Sequence, residues 1–285
     1  MSDKNYASPP LNSQLPIGIF DSGIGGLTVL KALFRHFPNE DFIYFGDTAR
    51  LPYGTKSAPT IQKYSFEIAS FLEKEGIKAL VIACNTATAL AKDHLQSHFT
   101  FPLIDVISPT VAKALSVTKT GKIAILATRA TIRSQKIQQA LLNERKDLHL
   151  YPVFCPLFVP FIEEQMVQHP SMQLIIDEYL APLKENAVDT IILACTHYPL
   201  LMNPLKNYFG ERVVLIDSGE PTAQELMKTL EKHQLLRTTT KEVDQSSHRF
   251  IVSDDPDHFK KHGRYFLGEI VDHVELCSEQ EIVFL

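Results

Sequence analysis

The stretch "ALVIACNTATAL" (residues 79–90) decides how the chain is read. Its apolar run continues unbroken through Ala83, which does not suit a strand with one wet face and is too short for a helix of its own. It predicts a strand buried on both sides, the kind that parallel sheets use. Cys84, Asn85 and Thr86 follow at once, and apolar positions then return at helical spacing over "ATALAKDHLQSHF". Strand, polar turn and helix make one unit of an α/β fold. The same construction recurs at "TIILACTHYPLL" (190–201), where Cys195, Thr196 and His197 fill the turn and "LLMNPLKNYF" supplies the helix.

Working outward, further strand-like runs stand at 17–20, 42–45, 103–107, 122–127, 149–154 and 213–217. Amphipathic segments such as "LTVLKALFRHF", "TIQKYSFEIASFLEKEG" and "SMQLIIDEYLAPLKENA" separate them. The alternation predicts mainly parallel sheets covered by helices, with ligands beyond the carboxyl ends of the strands. Both cysteines fall at that edge, about one domain length apart, which points to an internal duplication. We therefore expect two pseudo-symmetric α/β domains facing each other across a cleft that holds the active site. Residues 1–16 read as a flexible tail, 17–110 with 220–285 as the first domain, and 111–219 as the second. "TKTG" (118–121) suits the junction. Beyond Asp217 the pattern predicts a helix, a polar link over residues 237–248 and a segment "RFIVS" packing back on the first domain.

With 285 residues, 45% hydrophobic and 21% charged, the composition is that of an ordinary globular protein. A net charge of -5 and the absence of a Lys/Arg stripe exclude functions built on nucleic-acid backbone contacts. No apolar stretch reaches the roughly 18 residues of a membrane span. The N-terminus has no apolar core of a signal peptide, so the expected location is the cytoplasm. Four cysteines without a CxxC fit a reducing compartment and give no zinc site.

A strand-end cysteine is most simply a small buried hydrophobe, and Cys155 and Cys277 keep that reading. Cys84 and Cys195 differ, because each is flanked by hydrogen-bonding side chains and each opens a helix, where a thiolate is favoured. Two thiols at equivalent positions suit a reaction that needs matched acid/base groups on opposite faces of one substrate. Inverting a stereocentre is such a reaction. His197 is the natural partner of Cys195. Asp21 and Ser22, in "IGIFDSGIGGLTVL" (17–30), precede a glycine-rich turn that reads as a helix cap, a phosphate cradle, or a carboxylate serving the site. The loop "GDTARLPYGTKS" (46–57) presents Pro52, Tyr53 and Gly54, and the backbone N–H groups of the last two could face an anion. Asn85, Thr86, Thr128, Thr131 and Thr196 offer neutral hydrogen bonds suited to the carboxylates of a small amino acid. Glu163 and Glu164 read by themselves as a solvated helix face.

"DSGIGGLTV", "PYG", "ACNTAT" and "ACTHYPLL", in this order and spacing, resemble the glutamate racemases, cofactor-independent bacterial enzymes that make D-glutamate for peptidoglycan. The resemblance runs from about Ile17 to the C-terminus. It implies that Cys84 acts on D-glutamate and Cys195 on L-glutamate, with Asp21 assisting the first thiol, and His197 and Glu163 the second. It further implies substrate contacts from Ser22, Tyr53, Gly54, Asn85, Thr86, Thr131 and Thr196, no cofactor, and a homodimer. Two positions depart from the family pattern: Gln165 and Ala130 each stand where a glycine is common. Rival readings are an aspartate racemase of the same superfamily, a Cys–His thiol hydrolase that would need only Cys195, and a binding protein on the same scaffold.

Overall fold

The first strand, β1 (Ile17–Asp21), is buried along its whole length, and it sets the pattern for the rest. In the computed structural model, which describes residues 12–237, 248–267, 271–277 and 282, β1 pairs in parallel with β2 (Phe42–Gly46) on one side and β3 (Ala79–Ile82) on the other. Strand β4 (Leu103–Asp105) extends the sheet beyond β3. A second parallel sheet holds β5 (Lys122–Ala127), β6 (His149–Phe154), β7 (Thr190–Ala194) and β8 (Val214–Ile216). The expected α/β architecture with parallel, helix-covered sheets is therefore present. The first sheet contains the run β2-β1-β3-β4, ending at its β4 edge, and the second runs β6-β5-β7-β8, so the two strand orders coincide. In each, the chain leaves its first strand to one side and returns to the other. Crevices form at such switch points. The residues just beyond β1 and β3, and just beyond β5 and β7, thus occupy equivalent positions.

Alternation along the strands divides the core. Ile17 and Ile19 pack with helices α1 (Leu27–His36) and α10 (Gly219–Lys232), while Phe20, Leu80 and Ile82 face α2 (Ala58–Lys74) and α3 (Asn85–Gln96). In the second sheet Leu126 and Leu193 meet α8 (Pro170–Glu185), and Ile123, Ile125 and Ile192 meet α4 (Ile107–Val117) and α6 (Lys136–Glu144). Continuous apolar strands are required because both faces are covered.

The C-terminal segment returns to the first sheet: β9 (Arg249–Val252) inserts beside β2, and β10 (Val274–Leu276) pairs outside it. Between them α11 (Pro256–Leu267) packs against α1. The strand expected over 103–107 is shorter. Asp105 ends it by accepting the N–H groups of Ile107 and Ser108 at 2.8 and 2.7 Å, which starts α4. Of the tail expected over 1–16, residues 1–11 lie outside the described residues. The remainder is held in place, with Ser13 and Gln14 carbonyls accepting from Lys78 and Arg237. Of the polar link, 238–247 also lie outside the described residues. No described helix is long and apolar enough to cross a membrane.

Candidate active site

Between the two switch points lies a cavity of about 430 Å³, lined from both sheets. Cys84 and Cys195 both face it, together with Ser22, Pro52, Tyr53, Gly54, Asn85, Thr86, Glu163, Thr196 and His197. Asp21 and Thr131, also singled out by the sequence, sit behind this lining and are fully buried.

Cys84 lies just beyond β3 and caps α3, its Sγ accepting the Ala87 N–H at 3.4 Å. A helix N-terminus alone would favour thiolate, as the sequence suggested. Burial opposes it and wins: desolvation, with the Asp21 charge adding to it, pushes the Cys84 thiol up to about 12 despite the Ala87 and Ser22 hydrogen bonds. Asp21 itself is raised by burial, against the favourable charge of His197 and the Gly23 N–H. Its Oδ2 accepts that N–H at 3.0 Å, and its Oδ1 accepts from Thr196 Oγ1 at 3.3 Å. The glycine turn that follows owes its composition to close packing. A Cβ on Gly25 would collide with His197 Nδ1 and Thr196 Oγ1, and one on Gly26 would stand 2.5 Å from the Asp21 Cβ.

Cys195 follows β7 but opens a 3₁₀ turn (Tyr198–Leu201) rather than an α-helix, which begins only at Met202. Beside it His197 Nε2 meets Glu163 Oε1 at 2.9 Å, and the Phe266 ring stands perpendicular to the imidazole. Burial disfavours a charged His197. The neighbouring Cys195 and the Glu163 carboxylate outweigh it and raise the imidazole to about 10. Burial likewise works against the Glu163 charge, and His197 overcomes it, so this carboxyl is held below its ordinary value. Glu163, the last residue of α7 (Phe158–Glu163), thus belongs to the cavity, whereas Glu164 is exposed as a solvated helix face would have it.

Neutral donors line much of the rest of the cavity, beside Arg129. Thr86, Thr128 and Thr131 form a triangle of hydroxyls 3.0 to 3.2 Å apart, with Thr131 at the back. Asn85 Nδ2 is buried and has no partner among the described residues. The Tyr53 hydroxyl is committed to Asp47, so this side chain presents its ring and backbone instead. Sequence reading missed Cys155, Val159 and Pro160, an apolar flank of the cavity, because nothing in an apolar residue marks it as lining a site. Among the described residues no three His, Cys, Asp or Glu are placed to hold a metal.

The Asp/Glu/Hydantoin racemase family profile matches residues 17–226, which takes in both cysteine turns and the whole cavity. The chain belongs to this family. Among racemases of the family, it is 46% identical to the glutamate racemase of Geobacter metallireducens, over 93% of this chain and 97% of the relative. A solved structure of glutamate racemase isoform RacE1 from Bacillus anthracis superposes with a TM-score of 0.87 at 35% identity, covering 94% of this chain and 98% of the other. The Francisella tularensis glutamate racemase, solved in complex with D-glutamate, gives 0.86 at 39% identity, covering 93% and 98%. The fold of these glutamate racemases thus spans nearly all of the chain.

Proposed function

We propose that the protein interconverts L- and D-glutamate without a cofactor, using Cys84 and Cys195 as paired acid and base, and supplies D-glutamate for peptidoglycan. The observation that supports this reading best is that two thiols from equivalent switch points open into one cavity. For L-glutamate, Cys195 as thiolate takes the Cα proton, with protonated His197 as its counter-charge and Glu163 holding the ring. Cys84, a neutral thiol at ordinary pH, returns a proton to the other face. The reverse reaction exchanges the roles, and Asp21 assists Cys84 as a proton acceptor and not, like His197, as a counter-charge, since its own charge opposes the thiolate. Ser22, Asn85, Thr86, Thr196 and the Pro52–Gly54 backbone receive the substrate's carboxylates and ammonium group, while Thr131 orients Thr86. Such preformed dipoles, closed off from water, stabilise the charge that develops on the carboxylate as the proton leaves. In this reading residues 17–110 with 220–285 form one half and 111–219 the other. The assembly is a homodimer, which sedimentation of the purified chain tests.

The decisive experiment follows racemisation by circular dichroism and Cα deuteration in heavy water, for wild type, Cys84→Ser and Cys195→Ser. Each substitution is expected to lower kcat by about 10³-fold. Full racemisation in either variant contradicts the two-base reading, and turnover of aspartate in preference to glutamate contradicts the substrate.

A further inference from the structure

Behind the cavity wall made by Leu51, Pro52, Tyr53 and Gly54 lies a polar cluster that does not line the cavity. Its hub is Asp47, which is fully buried. Arg50 Nε donates to both carboxylate oxygens at 2.9 and 2.8 Å, Ser253 Oγ donates to Oδ1 at 2.9 Å, and the Tyr53 hydroxyl donates to Oδ2. The guanidinium continues to Glu67 through Nη1 at 2.5 Å and lies over the Tyr64 ring, so the cluster is anchored on α2. On the other side Ser253 Oγ accepts the Ala49 N–H at 2.9 Å, and Thr48 Oγ1 accepts the Asp254 N–H at 2.8 Å. The loop before the wall is therefore fastened both to α2 and to the residues that end β9. An ionised carboxylate only accepts, and here three side chains donate to it. An amide of the same shape would turn an N–H group toward one of those donors. The charge, not only the volume, holds the arrangement.

We propose that Asp47 is a positioning residue for the racemisation proposed above: through Tyr53 and Arg50 it holds the Pro52–Gly54 wall in the geometry that receives substrate, and Ser253 brings the end of β9 into that task. The inference rests on the racemase reading, and the test separates the two. Asp47→Asn, Tyr53→Phe and Ser253→Ala are compared with wild type by steady-state racemisation in both directions and by amide exchange at residues 53–56, where the Lys56 N–H bonds the Tyr53 carbonyl. Asp47→Asn is expected to raise KM for both enantiomers about tenfold while kcat stays within about threefold, a split that general destabilisation does not produce. Tyr53→Phe and Ser253→Ala, each losing one donor, raise KM less, and exchange at 53–56 quickens in the same order. Wild-type KM and exchange in these variants, or a fall in kcat at constant KM, overturns the proposal. Should Asp47→Asn fail to fold, the other two variants decide it. A wild-type protein inert toward glutamate counts against the racemase reading instead, and the exchange rates then decide the role of Asp47 by themselves.

Discussion

His197 is buried, yet it is held protonated by its neighbours, with its ring raised to about 10 from an ordinary value of 6.5. A histidine that binds its proton more tightly when folded contributes stability in full below its unfolded value, and loses it as pH climbs through the folded one. The stability advantage of wild type over His197→Gln is therefore expected to be constant below about pH 6.5. It then shrinks toward pH 10, by up to about 1.4 kcal/mol per pH unit. Urea melts at several pH values read this directly, and an advantage that grows with pH contradicts the charge assignment. The thiols and His197 were legible in the sequence because polar side chains crowd the ends of apolar runs. The state of Cys84 was not, since whether burial or a helix terminus wins depends on how completely water is excluded. Nor was the commitment of Tyr53, whose partner Asp47 gains a third donor, Ser253, from the far end of the chain.

At the scale of elements, α7 ends in a recognisable motif one step from the site. The Gln165 N–H bonds the Ile162 carbonyl at 3.0 Å, and the Met166 N–H reaches back to Phe161 at 2.8 Å. This closure demands a left-handed residue, and Gln165 adopts φ of 56°. A glycine is common at this position in the glutamate racemases, and it is the residue that meets the demand without a Cβ penalty. Gln165→Gly is expected to stabilise the protein by about 1 kcal/mol, measured by thermal or urea unfolding. Unchanged or lower stability shows that contacts of the Gln165 side chain matter more than the backbone. Strands were legible to within a residue or two wherever both faces are buried. The run at 103–107 misled because hydrophobicity does not register that Asp105 can cap a helix. The short helix α5 (Arg129–Ser134) and strand β10 carry too little periodicity to be read at all.

Across the whole molecule, the two halves meet through small groups. Thr28 Oγ1 donates to the Thr196 carbonyl at 2.8 Å, Thr196 reaches Asp21, and Gly54 lies directly against Thr128. A Cβ at Gly54 would stand 2.8 Å from the Thr128 Cβ. Gly54→Ala is therefore expected to force the wall from its partner and raise KM for glutamate about tenfold. Thr128→Ser does not rescue it, because the clash is with the Cβ that serine keeps. A wild-type KM in Gly54→Ala shows that the junction yields freely. That two α/β units face each other was legible from the repeated cysteine turn. The order of strands within each sheet was not, because no local signal records which strand lies beside which.

The second sheet is drawn from one uninterrupted stretch of chain, whereas the first borrows β9 from beyond it. During synthesis from the N-terminus, the later-made sheet has all its strands while β2 still has an open flank. That flank closes only after Val252 has left the ribosome. Chains released early thus carry a bare strand edge, the kind that pairs with other chains. Fragments ending between β8 and β9 are expected to aggregate where the full-length protein does not.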